Sequence, residues 1–221
     1  MNKLAAVVPV RKGSQRVKHK NFRSFGGKNL LIHKIEILKK LKFLDEIIVN
    51  TDSDRAISIA KKLGVKYFRR NDYYASSLCI NSEFWKNVAD NTNSEYIMFT
   101  NCTSPLIKLS TYKEIISLFK KNLIKKKFDS FNTVTVIKEF LFKNNKPMNF
   151  ELEKTPNSQD LPEIVKLNFA INILKTKKMS SMKSLIGNKP YLYKLDEIEG
   201  LDINSEQEFS YANFLFKKNN V

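Results

Sequence analysis

Residues 4–21 read LAAVVPVRKGSQRVKHKN, and they contain the clearest indication of the fold class. Leu4–Val10 is a continuous apolar run of strand length, which is typical of a strand buried on both faces of a parallel sheet. The polar segment 11–21 that follows contains five lysines and arginines and one glycine, Gly13. Ligands of parallel α/β sheets bind beyond the carboxyl ends of the strands, so this segment is a candidate polyphosphate-binding loop. By composition alone, a solvated basic loop is an equally good interpretation.

Strand and helix signals alternate through the rest of the first half of the chain. Further strands are predicted at residues 46–50, 65–68 and 95–100, and helices at 29–42, 54–63, 82–90 and 110–121. This alternation indicates a parallel sheet with right-handed crossovers and helices on both faces.

The pattern changes after residue 121. Residues 131–137, 164–173 and 190–194 are predicted strands, and residues 205–216 form an amphipathic helix. Between them, residues 140–162 are polar and contain Asn and Pro, which is typical of a protruding arm or hairpin. There is no internal repeat and no long linker, so we predict a single α/β domain over residues 1–221 with an inserted arm.

The charge of the chain indicates a polyanionic partner only weakly. A net charge of +17 attracts nucleic acid, anionic membranes or phosphorylated ligands. However, 33 of the 39 basic residues are lysine, and Asn is also abundant, which is typical of compositional bias and solvated lysine faces.

Several protein classes are disfavoured. No run reaches the roughly 18 apolar residues of a membrane span, and the seven of Leu4–Val10 lack a small-residue cleavage site. Cys79 and Cys102 fit neither a disulfide framework nor a zinc-ligand spacing. We therefore predict a cytoplasmic protein with free thiols that is not associated with a membrane.

Two phosphate-binding motifs are absent. Gly13 is the only glycine of the first loop, so there is no G-x-G-x-x-G fingerprint. Residues 26–29 (GGKN) lack both the first glycine and the Ser/Thr of a P-loop, which disfavours kinase-like or GTPase-like phosphoryl transfer.

Small polar clusters follow three of the predicted strands. Residues 50–54 and 101–106 contain hydroxyl, amide and carboxyl groups that could bind a ribose, a base or a sugar, although Asp52 and Asp54 could equally cap a helix. Asp202 and Asn204 are two residues apart in an extended segment and project to the same side, where their oxygens could hold Mg²⁺ beside a triphosphate. The alternative is that Asn204 caps the last helix and Asp202 is a surface acid.

Taken in order, these segments resemble the acylneuraminate cytidylyltransferases (CMP-sialic acid synthetases), which are related to the CMP-Kdo synthetases. Eight motifs in the same order as in the family support the resemblance over nearly the whole chain: residues 4–21, 27–31, 46–52, 67–75, 101–106, 159–162, 166–171 and 201–204. The resemblance implies a Rossmann-like (GT-A-like) nucleotidyltransferase fold with a mostly parallel sheet, and a homodimer whose arm lies at about residues 128–162. It implies transfer of CMP from CTP to the anomeric hydroxyl of a sialic-acid-like 2-keto sugar acid, with Mg²⁺ and release of pyrophosphate.

The resemblance also assigns roles to individual residues. Arg11 and Lys20 would be catalytic, and Asp202 and Asn204 would hold the metal ion. The nucleotide would be bound by Arg11, Gly13, Ser14, Lys20, Asn21, Arg69, Asn81 and Ser82. The acidic sugar would be bound by Asn101, Thr103, Ser104, Gln159, Lys166 and Asn168.

The departures from the family pattern lie mainly on the sugar side. Asn101 replaces Gln, Ile107 and Lys166 replace Arg, Phe169 replaces Gly, and Asn204 replaces Asp. Lysine lacks the bidentate grip of arginine on a carboxylate, and a phenylalanine in place of glycine would crowd a bulky acylated sugar. The acceptor could therefore be another small acidic compound, such as a Kdo-like sugar or a phosphonate. A non-catalytic nucleotide-binding relative is a further alternative. A nucleic-acid-binding protein is disfavoured because basic strands interleaved with aromatic residues are absent.

Overall fold

A seven-stranded sheet forms the centre of the computed structural model, which describes residues 3–14 and 16–218. Its strands are β1 (Leu4–Val10), β2 (Glu46–Thr51), β3 (Lys66–Arg69), β4 (Tyr96–Phe99), β5 (Ser130–Ile137), β8 (Ile164–Lys175) and β9 (Pro190–Leu195). They are arranged in the order β3-β2-β1-β4-β8-β5-β9. A separate hairpin contains β6 (Phe142–Lys143) and β7 (Lys146–Pro147). Positions 1, 2, 15 and 219–221 of the predicted domain lie outside the described residues.

Helices cover both faces of the sheet. They are α1 (Leu30–Lys39), α2 (Asp54–Lys62), α3 (Asp72–Ala75), α4 (Asn81–Asp90), α5 (Leu109–Lys125), α6 (Thr176–Met182) and α7 (Glu206–Lys218). Helices α1, α2, α5 and α7 contribute to the larger core cluster, whereas α4 and α6 contribute to the smaller one. The predicted α/β fold is confirmed, although the sequence patterns missed the short helices α3 and α6 and the 3₁₀ turns. Among the described residues, no helix is both long enough and apolar enough to cross a membrane.

Strand β1 is buried on both sides, as its continuous apolar sequence predicts. Leu4, Ala6 and Val8 pack into the larger cluster, and Ala5 and Val7 pack into the smaller one. β1 pairs in parallel with β2 on one side and β4 on the other. The basic loop that follows Val10 therefore begins near the middle of the carboxyl edge of the sheet.

β8 is antiparallel to both of its neighbours in the central sheet, β4 and β5. Its register with β5 shifts between the Asn132–Asn172 and Val134–Leu167 pairs, so residues 168–171 form a bulge opposite Thr133. Phe169 in this bulge has a φ of +54°, a left-handed conformation that is unusual for an aromatic residue. The bulge lies beyond the end of β4, because β4 pairs only with residues 172–175 of β8.

The inserted arm begins later than expected. Residues 130–137, which the resemblance assigned to an arm starting near 128, form β5 inside the sheet. The remaining segment contains the β6–β7 hairpin, whose turn residues Asn144 and Asn145 have φ values of 50° and 61°, as two-residue hairpin turns require. The amide of Asn149 bonds to the main chain at Glu139 and Leu141 and holds the arm together at its base.

Candidate functional site

A cleft of about 370 Å³ lies at the carboxyl edge of β1 and its neighbours. It contains nine of the residues that the sequence nominated: Arg11, Ser14, Lys20, Asn21, Asn81, Asn101, Thr103, Asp202 and Asn204. Loops after β1, β4 and β9 and the start of α4 contribute these side chains. Segments far apart in the chain therefore meet where the topology of a parallel sheet places its ligands.

The cleft has a strong excess of positive charge. Four of its side chains are cationic, those of Arg11, Arg16, Lys20 and Arg70, whereas Asp202 is its only carboxylate among the described residues. Guanidinium and ammonium groups that converge in this way are the donors that bind phosphate oxygens. The cleft is thus electrostatically suited to a polyphosphate.

Lys20 is buried at the start of a short 3₁₀ turn, Lys20–Phe22. Its Nζ donates a hydrogen bond to the carbonyl oxygen of Ile203. Burial lowers the pKa of the Lys20 ammonium below its usual value, and the charge of Asp202 partly offsets this effect. Lys20 therefore links the first loop to the segment that contains Asp202.

Arg70 is a buried guanidinium that follows β3. One of its terminal nitrogens donates to the carbonyl oxygen of Val10 at 2.9 Å and lies 3.7 Å from the carboxylate of Asp52. Asp52 also accepts a 2.9 Å hydrogen bond from the main-chain nitrogen of Lys12, so one carboxylate orients both Arg70 and the first loop. Burial lowers the pKa of Arg70, and its guanidinium lies 4.8 Å from the ring centre of Phe84.

The neighbouring Arg69 does not line the cleft, which corrects its assignment to the nucleotide. Successive side chains of a strand point to opposite sides, and Arg69 is exposed and paired with Asp54. Asp54 is the first residue of α2, whose N-cap is Ser53. Asp52 and Asp54 are therefore not helix caps.

Asp202 and Asn204 lie side by side, as their spacing predicted. Nδ2 of Asn204 donates to Oδ2 of Asp202 at 2.8 Å, and Oδ1 of Asn204 accepts from Arg16 at 2.7 Å. Asn204 does not cap α7. Ser205 and Glu208 form a capping box there, in which Ser205 Oγ accepts from the Glu208 nitrogen and the Glu208 carboxylate accepts from the Ser205 nitrogen.

One carboxylate oxygen is available for a cation. Oδ1 of Asp202 is buried and has no hydrogen-bond partner, whereas the side-chain Oδ1 of Asn204 accepts a hydrogen bond from Arg16. In the described part of the chain, no group of three or more His, Cys, Asp or Glu residues could enclose a metal ion. Mg²⁺ is commonly held by one or two carboxylates together with phosphate oxygens and water. The donor set therefore fits a single-carboxylate Mg²⁺ site at Asp202.

A second cavity, of about 690 Å³, adjoins the cleft and shares Asp202 and Asn204 with it. Lys166 and Asn168 line this cavity. Both ends of the side-chain amide of Asn168 form hydrogen bonds with hydroxyl groups of β5. Oδ1 accepts from Thr133 at 2.6 Å, and Nδ2 donates to Thr135 at 3.1 Å. The bulge of β8 thus faces the cavity with a fixed amide.

Five of the predicted site residues line neither cavity: Arg69, described above, and Gly13, Ser82, Ser104 and Gln159. Ser104 is completely buried. Gln159 lies in the arm, where its carbonyl oxygen accepts from Lys138 at 3.3 Å.

Sequence reasoning missed several cleft residues: Arg16, Arg70, Tyr74, Ala75, Ser76, Cys79, Phe84 and Cys102. Arg16 belongs to the basic loop, and Arg70 is in the segment YFRRNDYYA that resembles the family's arginine motif. The signal for both arginines was present in the sequence. What the motif left open was which of two adjacent arginines points into the cleft.

Among the described residues, three of the six buried side-chain polar atoms without a hydrogen-bond partner belong to residues of the cleft. Oδ1 of Asn21, Nε of Arg70 and Oδ1 of Asp202 are buried without a hydrogen-bond partner, and all three residues line it. Buried polar atoms are nearly always paired in folded proteins, because leaving one unpaired costs about 1–3 kcal/mol. Three such atoms around one cleft are typical of a site arranged for a polar ligand.

Comparisons with known proteins identify the family of this chain. A family model described as cytidylyltransferase matches residues 5–168. A pseudaminic acid cytidylyltransferase of Campylobacter jejuni is 25% identical over 222 residues, which cover 96% of each chain. A CMP-N,N'-diacetyllegionaminic acid synthase of the same species is 25% identical over 239 residues, covering all of this chain and 98% of the relative.

A solved structure shows the same fold. The structure of a CMP:2-keto-3-deoxy-manno-octonic acid synthetase in complex with CTP superposes with a TM-score of 0.71. It covers 98% of this chain and 99% of that chain at 12% sequence identity. Because the family model spans most of the chain, the protein belongs to the cytidylyltransferase family of nucleotidyltransferases.

Proposed function

We propose that this enzyme transfers CMP from CTP to the anomeric hydroxyl of a sialic-acid-like 2-keto sugar acid and releases pyrophosphate. The observation that carries the proposal is the cationic cleft with three unsatisfied polar atoms, which opens next to a second cavity at Asp202 and Asn204. Relatives named for pseudaminic and legionaminic acids support an acceptor of this class.

The reaction would be catalysed by positioning and charge neutralisation. The anomeric oxygen attacks the α-phosphorus, the bond from that phosphorus to the α,β-bridging oxygen breaks, and the hydroxyl proton is lost to solvent or to a base. Negative charge grows on the departing pyrophosphate, where Arg11, Arg16 and Lys20 would stabilise it by hydrogen bonds and charge. Arg70, held by Asp52, would also contact the nucleotide in the cleft.

Asp202 would hold Mg²⁺ through its unpaired oxygen, and Asn204 would contribute only after releasing Arg16. A bound Mg²⁺ supplies Lewis-acid neutralisation of phosphate charge. The contribution of this chain is to place Asp202 at the boundary of the two cavities, where Lys20 lies close enough for its charge to interact with the carboxylate.

The acceptor would occupy the second cavity. A sugar carboxylate needs a cation there, and Lys166 is exposed at the cavity wall, whereas Lys138 donates to main-chain carbonyl oxygens of the arm. The remaining charged residues of the wall are acidic: Glu139, Glu197, Asp202 and Glu208. Such a wall would accept hydrogen bonds from sugar hydroxyls while Lys166 binds the carboxylate.

The test is an acceptor panel. The purified protein is incubated with CTP, Mg²⁺ and sialic, legionaminic, pseudaminic or Kdo-type acids, and pyrophosphate release is followed. We expect release with at least one nonulosonic acid and much less with UTP or ATP. CTP binding without release from any acceptor would instead favour a non-catalytic nucleotide-binding relative. Release only with Kdo or another small acidic acceptor would shift the substrate class.

A further inference from the structure

A buried lysine lies behind the cleft without an acidic partner. Lys34, in the middle of α1, is only 3% exposed. Among the described residues, no carboxylate lies within ion-pair distance of its ammonium. Burying a charge without a counter-ion is costly, so a lysine at this position needs an explanation.

The hydrogen bonds of Lys34 lead to the segment that follows β4 and to α5. Nζ donates to the hydroxyl of Tyr112 at 2.6 Å, to the carbonyl oxygen of Ser104 at 3.1 Å and to Oγ1 of Thr100 at 3.5 Å. An ammonium has three donor protons, so these three acceptors can satisfy it completely. Lys34 thus connects α1, the end of β4 and α5 at one point.

The segment that Lys34 holds forms part of the cleft. Residues 101–103, between Thr100 and Ser104, all line it. The carbonyl oxygen of Thr103 accepts a 2.9 Å hydrogen bond from the main-chain nitrogen of Ile203. The carbonyl oxygen of Ile203 in turn accepts from Nζ of Lys20. Hydrogen bonds therefore connect Lys34 with segment 100–104 and that segment with Ile203. Ile203 lies between Asp202 and Asn204 in the chain.

Thr100 extends the same network towards the acceptor cavity. Its hydroxyl donates to the carbonyl oxygen of Ala170 at 2.7 Å, inside the bulge of β8. Asn168 in that bulge lines the second cavity. Both cavities therefore depend on one buried cluster, Lys34–Thr100–Ser104–Tyr112.

We propose that Lys34 is a positioning residue for the nucleotidyl-transfer site, which fixes segment 100–104 and, through it, segment 202–204. The effect on catalysis rests on the proposed function, whereas the hydrogen bonds described above are sufficient to support the structural role of Lys34. Lys34 lines neither the cleft nor the second cavity, and it would act through the segments that do.

The first test uses Lys34→Met, which keeps the length of the side chain and removes its donors, together with the milder Tyr112→Phe. The control is Leu185→Ala, which truncates a fully buried side chain of the smaller core cluster, whereas Tyr112 and the buried apolar residues of α1 belong to the larger one. Amide hydrogen exchange is measured by mass spectrometry on peptides spanning residues 100–104 and 201–205. In Lys34→Met we expect exchange at Ile203 to be at least tenfold faster, and in Tyr112→Phe faster to a smaller degree. Exchange at Ile203 that is unchanged in both variants, or equally raised in Leu185→Ala, would overturn the proposal.

The second test is kinetic. If the proposed reaction is observed, Lys34→Met should lower kcat/KM for the acceptor at least tenfold while changing the Kd for CTP less than threefold. Leu185→Ala should change neither quantity by more than threefold at a temperature where it is folded. Wild-type kinetics in Lys34→Met would refute the positioning role and leave the proposed function intact. Failure of the unmodified enzyme to release pyrophosphate would refute the proposed function, and the exchange measurement would still decide the role of Lys34.

Discussion

Two adjacent arginines show how one position along a strand separates a ligand-binding residue from a surface residue. Arg70 is buried and reaches the cleft beside Asp52, whereas Arg69 is exposed and paired with Asp54 at the start of α2. The two residues have the same chemistry and the same local sequence context. They therefore provide a matched pair for experiment.

We expect Arg70→Lys to weaken CTP binding at least tenfold and Arg69→Lys to change it less than twofold. Lysine keeps the charge but lacks the planar guanidinium, which donates a hydrogen bond to the carbonyl oxygen of Val10 and forms an ion pair with Asp52. Isothermal titration of CTP into each variant measures the effect. Equal losses in the two variants would contradict the placement of Arg70 in the cleft.

The buried ammonium of Lys20 leads to a prediction about pH. Burial lowers its pKa from the ordinary value of 10.5, so the folded protein without ligand loses this proton at a lower pH than the unfolded chain does. A bound triphosphate would stabilise the ammonium and raise the pKa again, so CTP binding should take up a proton. The affinity for CTP should then fall as the pH rises through the lowered pKa, below pH 10.5.

Calorimetry in two buffers of different ionisation enthalpy measures this proton uptake. Lys20→Met should bind CTP at least tenfold more weakly and show no proton uptake at alkaline pH. Lys18→Met is the control, because Lys18 is exposed in the same loop and does not line the cleft. The same pH dependence in Lys20→Met and in the unmodified protein would exclude Lys20 as its origin.

Removal of the Asp202 carboxylate should abolish turnover. We expect Asp202→Ala to reduce pyrophosphate release at least 100-fold, because it removes the one carboxylate that the described residues contribute to the cleft, together with its unpaired oxygen. Circular dichroism should show an unchanged spectrum. Asp160→Ala, at an exposed position in the arm, is the matched control and should retain full activity. Activity near the wild-type level in Asp202→Ala would contradict both the proposed metal site and the placement of catalysis in this cleft.

Among the secondary-structure elements, the start of α7 determines what Asn204 can do. Ser205 Oγ accepts from the main-chain nitrogen of Glu208 and the Glu208 carboxylate accepts from that of Ser205, so the side chain of Asn204 is not needed as a cap and contacts Asp202 and Arg16. The pattern S-x-x-E was present in the sequence as a capping box. Recognising it would have resolved the choice between cap and site residue for Asn204.

Loss of this cap should lower stability without changing the chemistry. We expect Ser205→Ala to cost about 1 kcal/mol, which corresponds to a decrease of roughly 2–4 °C in Tm for a chain of this size. Thermal melts followed by circular dichroism measure the decrease. Asn204→Ala should leave the melting temperature within about 1 °C of the wild type, since its side chain does not cap α7. A larger decrease for Asn204→Ala than for Ser205→Ala would reverse this assignment.

At the level of the whole molecule, the arm exposes an apolar surface. Phe140, Phe142, Met148 and Leu152 are all more than 40% exposed there. Clustered apolar side chains of this kind are typical of a protein interface. Together with the family resemblance, they support the prediction that the enzyme is a homodimer that associates through its arm.

Light scattering after gel filtration tests the oligomeric state. We expect a dimer for the unmodified chain and a monomer, or at least a tenfold weaker dimer, for Phe142→Glu. Ile124→Glu provides the control, because Ile124 is 86% exposed on α5, outside the arm. A monomeric wild-type protein, or equal dissociation of both variants, would exclude the arm as the interface.

The sequence alone was sufficient for the order of the longer strands and helices, for the position of the basic loop and for nine of the nineteen residues that line the cleft. Local patterns specify these features, since a buried parallel strand must be apolar throughout and the residues after such strands meet at one edge. The pairing partners of each strand are set by contacts between distant segments. The pattern of residues 131–137 predicts a strand, whereas the resemblance places the arm from about residue 128, and the pairing with β8 and β9 shows that this strand belongs to the sheet.

Features that depend on side-chain direction could not be read from the chain. The choice of Arg70 over Arg69, the engagement of Asn204 by Arg16 and the burial of Lys34 behind segment 100–104 all follow from three-dimensional packing. A motif identifies the residue types available at a site, because chemistry requires them. Which of them point into the cleft depends on the register and curvature of the sheet and on the helices packed against it, and those are properties of the folded chain as a whole.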